Sequence, residues 1–170
     1  MYTELLVGCG NSRKKKLPIG KPDWYNLTTL DIDEWCRPDI LHDLESLPYP
    51  FEDNNFDEIH AYEVLEHTGK QGDWMFFLEQ FAEFWRILKP GGKFAAIVPS
   101  YKDLWAWGDP GHTRIINSGT LVFLMQSEYE KQVGVTAMTD YRQYYSADFK
   151  LLGLQEGDKS FQFVLEAIKK

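Results

Sequence analysis

Cysteine is scarce in this 170-residue chain, which has only Cys9 and Cys36. They form no CxxC pair and no Cys/His cluster, so the spacings of a zinc site are missing and no metal is expected. No apolar run approaches the roughly 20 residues that cross a bilayer. The opening "MYTELLV" has neither a charged n-region nor a long apolar stretch, so no signal peptide and no membrane partner are expected. Positive charge is also short. With 18 Lys and Arg against 26 Asp and Glu, the net charge is −8, which argues against a general grip on nucleic acid and makes DNA an unfavourable partner. Repeats, linkers and low-complexity tracts are absent. What remains is a cytoplasmic protein with reduced thiols, folded as one domain over residues 1–170 and long enough to bury a real core.

Rings are plentiful. Aromatic residues make up 15% of the chain, including six tryptophans. Residues 3–8 are an apolar run ended by glycine, the pattern of a buried strand. Residues 11–26 are basic and then rich in Pro and Gly, a loop or one short helical turn. Residues 27–32 and 39–44 predict two more strands, and 47–57 a loop with an Asp-Asn-Asn turn cluster. A fourth strand starts at Asp57 and ends near Tyr62. In residues 71–88 Trp74, Phe77, Leu78, Phe81, Trp85 and Leu88 recur at helical spacing, with Asp73 or Gly72 as the cap. "KPGG", 89–92, stops that helix, and 93–99 predicts a fifth strand. Residues 99–117 read as irregular, 118–131 as a second helix, and the tail from about Tyr144 as a pair of closing strands. This order implies an α/β, Rossmann-like, mostly parallel seven-stranded sheet, with reduced helices after strands 1–3 and an antiparallel C-terminal strand.

Ligands of such sheets sit at the carboxyl ends of the strands, beside the switch in strand order. Gly8 and Gly10, in "LLVGCGNSRKKKLPIG", end the first strand and allow a sharp turn with close approach of a ligand to the backbone. Asp31 ends the second, where a carboxylate accepts ribose hydroxyls. Asp43 ends the third, placed either to accept the exocyclic amine of an adenine or to cap the next turn. The third glycine of a dinucleotide fingerprint is missing, and Arg13 stands in its place. A ligand with ribose and adenine but no pyrophosphate fits that turn better than a nicotinamide dinucleotide does, and no Tyr-x-x-x-Lys pair supports hydride transfer.

With these strand ends placed, the sequence resembles the class I S-adenosylmethionine-dependent methyltransferases, in particular small single-domain members of the type-11 kind. The matching pieces are "LLVGCGN", "LTTLDIDE", "PDILHDLESLPYPFEDNNFDEIHAYEVLEH" and "EFWRILKPGGKFAAIVPS", spanning roughly residues 4–100. The resemblance implies S-adenosyl-L-methionine as cofactor and S-adenosyl-L-homocysteine as product. It implies that Gly8, Cys9 and Gly10 form the cofactor loop, that Asp31 and Ile32 lie at the ribose, Asp43 and Leu44 at the adenine, and Tyr62 and Glu63 at the methionine end. His67, closing "VLEH", belongs to the pocket floor or the acceptor side. Because a basic connection stands where the first helix is expected, Arg13 or Lys14 is expected to hold the methionine carboxylate by a charge-assisted bond.

Methyl transfer mainly requires alignment, which can be worth roughly 7–11 kcal/mol of barrier, and a base where the acceptor starts protonated. In "YKDLWAWGDPGHTRIIN", His112 is the candidate base and Asp109 its orienting partner. Tyr101, Trp105 and Trp107 are expected to line the acceptor, and Arg114 to hold an anionic group on it. The expected activity is methyl transfer to a small-molecule or sugar-like acceptor under a lid at about 99–131, with a homo-oligomeric partner allowed. A non-catalytic module that binds the same cofactor is the alternative from another class. "YEVLEH" lacks the Asn/Asp-Pro-Pro-aromatic run of enzymes that methylate nucleic-acid bases, though RNA or protein acceptors stay open.

Overall fold

A computed structural model describes residues 1–169. Seven strands form one sheet: β1 (Glu4–Val7), β2 (Leu27–Asp31), β3 (Ile40–Leu41), β4 (Phe56–Tyr62), β5 (Leu88–Pro99), β6 (Phe149–Glu156) and β7 (Ser160–Ala167). Their spatial order is β3-β2-β1-β4-β5-β7-β6. The first five strands are mutually parallel, and β7 enters antiparallel between β5 and β6. The order reverses between β1 and β4, so the ends of these two strands flank the switch point. Among the described residues no helix is long and apolar enough to cross a membrane.

The longest helix, α1 (Trp74–Ile87), starts at Asp73, whose carboxylate accepts the Phe76 N–H at 3.2 Å. Its Leu78, Phe81, Phe84 and Ile87 are buried against Leu5, Ile59, Phe94 and Leu165, which share one register row across the sheet. The ring of Phe84 lies 4.7 Å from that of Phe94, and Phe81 lies 5.5 Å from the same ring. This face is a dry aromatic core.

The strand after α1 begins earlier than the sequence predicts. β5 pairs from Leu88 opposite Phe56, and "KPGG" is extruded as a bulge before the register resumes at Glu58–Lys93. Gly91, with φ of +75°, makes that excursion possible. The expected second helix over 118–131 is broken into α3 (Ser118–Leu121), a 3-10 turn (Val122–Leu124) and α4 (Gln126–Gln132). A further short helix, α2 (Leu104–Gly108), lies inside the stretch read as irregular.

Between β1 and β2 there is no helix. Residues 8–26 instead form an extended strap over the opposite face of the sheet, where β1 and β4 present Glu4, Leu6, Glu58, His60 and Tyr62. Lys15 lies 2.8 Å from Glu58 Oε2 and also pairs with Glu4 Oε1, with all three side chains nearly inaccessible to solvent. The second oxygen of Glu4 accepts the Tyr25 N–H at 2.6 Å. His60 Nε2 donates to Glu58 Oε2 at 2.8 Å, and its Nδ1 meets the Tyr62 hydroxyl at 2.7 Å, which in turn accepts the Leu17 N–H at 3.1 Å. Trp24 closes the cluster edge-on to His60 at 4.9 Å, with Lys15 over its ring. Buried charge survives here because every carboxylate oxygen has a partner.

Candidate functional site

The two glycines turn the chain at the end of β1. Gly8 has φ of +59° and Gly10 of +50°, and a Cβ on Gly8 would collide with the Val64 side chain. The Gly10 N–H donates to Asp31 Oδ2 at 2.8 Å, tying the loop to the end of β2, while Asp31 Oδ1 accepts the Asp33 N–H at 3.0 Å. A carboxylate has about four lone-pair sites, so these two bonds leave acceptor capacity for ribose hydroxyls.

Two cavities meet at Gly8. The first, about 280 Å³, is lined by Asp31, Ile32, His42, Asp43, Leu44 and Val64 among others. It brings together the residues expected at the ribose and the adenine. Asp43 lines this cavity, and its Oδ1 accepts the Glu45 N–H at 2.9 Å in a turn. The second cavity, about 230 Å³, is lined by Cys9, Gly10, Lys14, Lys16, Tyr62 and Glu63 among others. Burial raises the Cys9 thiol to about 11, so it stays protonated and offers backbone and bulk. Burial likewise raises Tyr62 to about 12, and its hydroxyl faces the strap network. Glu63 leaves β4 in a left-handed conformation, φ +53°, a state that costs a non-glycine residue on the order of 1–3 kcal/mol. That turn carries its carboxylate off the sheet and into the cavity wall.

Arg13 does not reach this cavity. Its guanidinium donates to the carbonyls of Gly10, of Cys36 at 2.6 Å and of Arg37 at 3.3 Å, clamping the glycine turn to the β2–β3 connection. Arg13 and Lys14 are both expected at the methionine carboxylate, but the carbonyls opposite capture the planar fork of Arg13. Lys14 and Lys16 are the cations at the cavity, and Lys16, whose Nζ also sits over the Tyr62 ring at 5.4 Å, was missed.

Beyond Glu63 the chain makes a 3-10 turn, Leu65–His67, that buries Glu66 to 4% exposure. The segment after α2 zips onto this turn. The Thr113 N–H donates to Glu66 O at 2.8 Å, Gln71 N–H to Thr113 O at 2.9 Å, and Arg114 Nε to Leu65 O at 2.8 Å. His112 is thereby laid edge-on against His67, with ring centroids 4.7 Å apart. Its Nε2 stands 3.9 Å from Asp109 Oδ2, too far for a hydrogen bond, and Asp109 Oδ1 instead accepts the Gly111 N–H at 2.8 Å. The expected Asp109–His112 hydrogen bond is therefore replaced by a His67–His112–Glu66 group. Burial, with Glu63 close by, raises Glu66 to about 8. Glu66 was missed because a charged residue in a tight turn carries no sequence mark of burial.

The remaining acceptor-side expectations are corrected. Trp105 and Trp107 lie on α2 and are 63% and 67% exposed, and Tyr101 is exposed beside them; none lines the two cavities at Gly8. The five-residue helix has only Ala106 buried, so the rings face outward. Arg114 is buried, bonded to Leu65, Thr68 and Gln80, and lines a separate apolar cavity of about 180 Å³ with Trp74, Phe77, Phe123 and Tyr141. Burial lowers its guanidinium to about 10, and Nη1 has no partner.

A glycine turn and an acidic strand end at the switch of a 3-2-1-4-5-7-6 sheet define a nucleoside-binding α/β enzyme fold. Residues 5–96 match the methyltransferase domain family, and the chain belongs to it; S-adenosylmethionine is the cofactor. Among solved structures, a SAM-dependent methyltransferase from Archaeoglobus fulgidus has TM-score 0.59 and 13% identity over 97% of this chain and 86% of its own. The N-methyltransferase NodS from Bradyrhizobium japonicum WM9, in complex with S-adenosyl-L-homocysteine, has TM-score 0.61 and 14% identity over 99% and 79%. The [4+2]-cyclase SpnF has TM-score 0.60 and 16% identity over 99% and 75%. At these identities the likeness is one of fold. No curated protein matches the sequence.

The residues present fit that cofactor. The cavity at Asp31 and Asp43 supplies acceptors for ribose and an amine, the Gly8 cradle is open because no Cβ fills it, and Lys14 and Lys16 face Glu63 across the second cavity, a donor set for a zwitterionic amino-acid end.

Proposed function

We propose that this enzyme methylates a small-molecule or sugar-like acceptor at a hydroxyl. The observation that carries this reading is the Glu66–His67–His112 group, in which Glu66 adjoins Glu63 of the second cavity and His67 lines the cavity at Asp31. When bound, the cofactor supplies a methyl carbon made electrophilic by its sulfonium. Asp31 would hold the ribose, Asp43 and Leu44 the adenine edge, and Lys14 with Lys16 the carboxylate. The carboxylate of Glu63 would favour a cationic sulfur nearby, and the proton released by a hydroxyl acceptor would be taken up at the group containing His112.

The net charge of −8 supports an acceptor other than nucleic acid. The test is production of S-adenosyl-L-homocysteine over a panel of hydroxylated small molecules, sugars, RNA and peptides. Turnover is expected with a small hydroxylated acceptor and loss of about 10²–10⁴-fold in His112→Ala. Turnover confined to RNA or peptides, or full activity of His112→Ala at every pH, refutes it.

A further inference from the structure

Glu66, His67 and His112 come from two chain segments, yet each offers one ligand atom and these atoms all lie within 4.8 Å of one another. Glu66 Oε1 is 3.9 Å from His67 Nε2. Two buried atoms of this group lack a donor or acceptor of complementary type among the described residues: Glu66 Oε2, whose carboxyl has the carboxyl of Glu63 beside it, and His112 Nδ1. Both side chains are at least nine-tenths buried. Leaving two such atoms unpaired is costly in a folded protein, and a bound cation would satisfy both.

The surroundings are those of ligand imidazoles. The Gly111 carbonyl accepts a bond from His67 Nδ1 at 3.0 Å, which fixes the tautomer and leaves Nε2 with its lone pair toward Glu66. In His112 the buried Nδ1 has no partner among the described residues and is the nitrogen offered to the cation, while Asp109 Oδ2 stands 3.9 Å from Nε2, beyond hydrogen-bond reach. The other three-residue group of this kind, Glu4, Glu58 and His60, differs in the decisive respect: Lys15 and Tyr2 already occupy its carboxylates.

The geometry points to a binding site for one divalent first-row transition cation, held by Glu66, His67 and His112 at the acceptor end of the cofactor cleft. One carboxylate and two imidazoles suit Mn²⁺, Fe²⁺, Co²⁺ or Zn²⁺ better than Ca²⁺, which takes oxygens. Coordination distances of about 2.0–2.2 Å draw the three ligand atoms closer than they stand, a movement of side chains alone. Three protein ligands leave positions open for oxygen, so the site selects acceptors that present a hydroxyl, and best two neighbouring ones. Glu63 stands beside Glu66 as an additional carboxylate for such a complex. The metal site extends the proposed function, and only the choice of acceptor rests on that reading. His112 becomes a ligand, and the cation takes over the lowering of the acceptor's pKa.

The test uses untagged full-length protein stripped with a chelator and titrated with Co²⁺, followed by visible absorption and calorimetry. One equivalent is expected to bind with d–d bands of an imidazole-containing site, and His112→Ala and Glu66→Gln to weaken binding at least tenfold. Should either fail to fold by circular dichroism, His67→Gln, at an exposed position, provides the same readout. Absence of a Co²⁺ spectrum, or unchanged binding in the folded variants, overturns the site. S-adenosyl-L-homocysteine titrated into the metal-free wild-type protein separates this outcome from the methyltransferase reading: its binding without a Co²⁺ spectrum refutes the metal site and leaves the cofactor site standing.

Discussion

The two faces of the sheet are covered in opposite ways. On one, α1 lays Phe81 and Phe84 onto Phe94 in a contact without polar atoms. On the other, a strap with no helix lays Lys15 and Trp24 over Glu4, Glu58 and His60. Burial of apolar area stabilises the first, at about 25 cal/mol per Å². The second gains from mutual satisfaction of charges that would each be expensive alone. The strap has no amphipathic stripe, so matched charge must hold it in place. The payoff is positional. Residues 8–26 leave the sheet directly above the glycine turn, which places Lys14 and Lys16 at the cofactor cavity where a helix end would otherwise stand.

Substitutions separate the two modes. Phe84→Ala is expected to destabilise the protein by about 3–5 kcal/mol in denaturant melts, with no second substitution restoring the loss. Lys15→Met leaves two buried carboxylates without a counter-charge and is expected to cost about 3–5 kcal/mol. Here Glu4→Gln with Glu58→Gln should recover much of the loss, because the pair is removed together. A failure of that rescue would show that the strap is held by shape and not by charge.

Acid sharpens the same contrast. Hydrogen bonds from His60, Lys15 and Tyr2 outweigh the burial that opposes them and hold Glu58 at about 2, below its ordinary 4.5. Its contribution is therefore present above pH 4.5 and lost as pH falls toward 2. Burial lowers His60 from 6.5, so the unfolded chain takes up that proton first and stability declines below pH 6.5. Both signs agree: thermal melts from pH 7 down to pH 3 should show a falling Tm. Phe84→Ala should keep that slope, and the triple Lys15→Met, Glu4→Gln, Glu58→Gln variant should flatten its lower part.

Smaller effects belong to the cofactor loop. Lys14→Ala should weaken S-adenosyl-L-homocysteine binding by about two- to fivefold, the range of an exposed ion pair. Calorimetry on Lys14→Ala and Lys16→Ala divides the proposed carboxylate contact between the two lysines.

The difference between the faces also explains what was legible in the sequence. The α1 face follows a 3.6-residue period, so Trp74, Phe77, Leu78 and Phe81 announced the helix, and Asp73 its start. Gly8, Gly10, Asp31 and Asp43 were legible because each lies at the end of a strand or in the turn just beyond it, and topology places strand ends together. The strap was not legible as structure. Lys15 finds Glu4 and Glu58 through the pairing of β1 with β4, and no local pattern marks that. Residues 109–117 were read as irregular, yet backbone bonds from Thr113 and Arg114 to the turn at Leu65 and Glu66 bring His112 onto His67. Trp105 and Trp107 misled in the opposite sense: rings in a loop suggested a pocket wall, and a short helix turned them to solvent.

In the proposed site the glycine turn and Asp31 hold the cofactor without a first helix. Calorimetric titration of the wild-type protein and Asp31→Ala with S-adenosyl-L-homocysteine tests it most directly. One-to-one binding by the wild type is expected, with at least a tenfold loss in Asp31→Ala, about 1.4 kcal/mol. Absence of binding by the wild type, or equal affinity in Asp31→Ala, would contradict it.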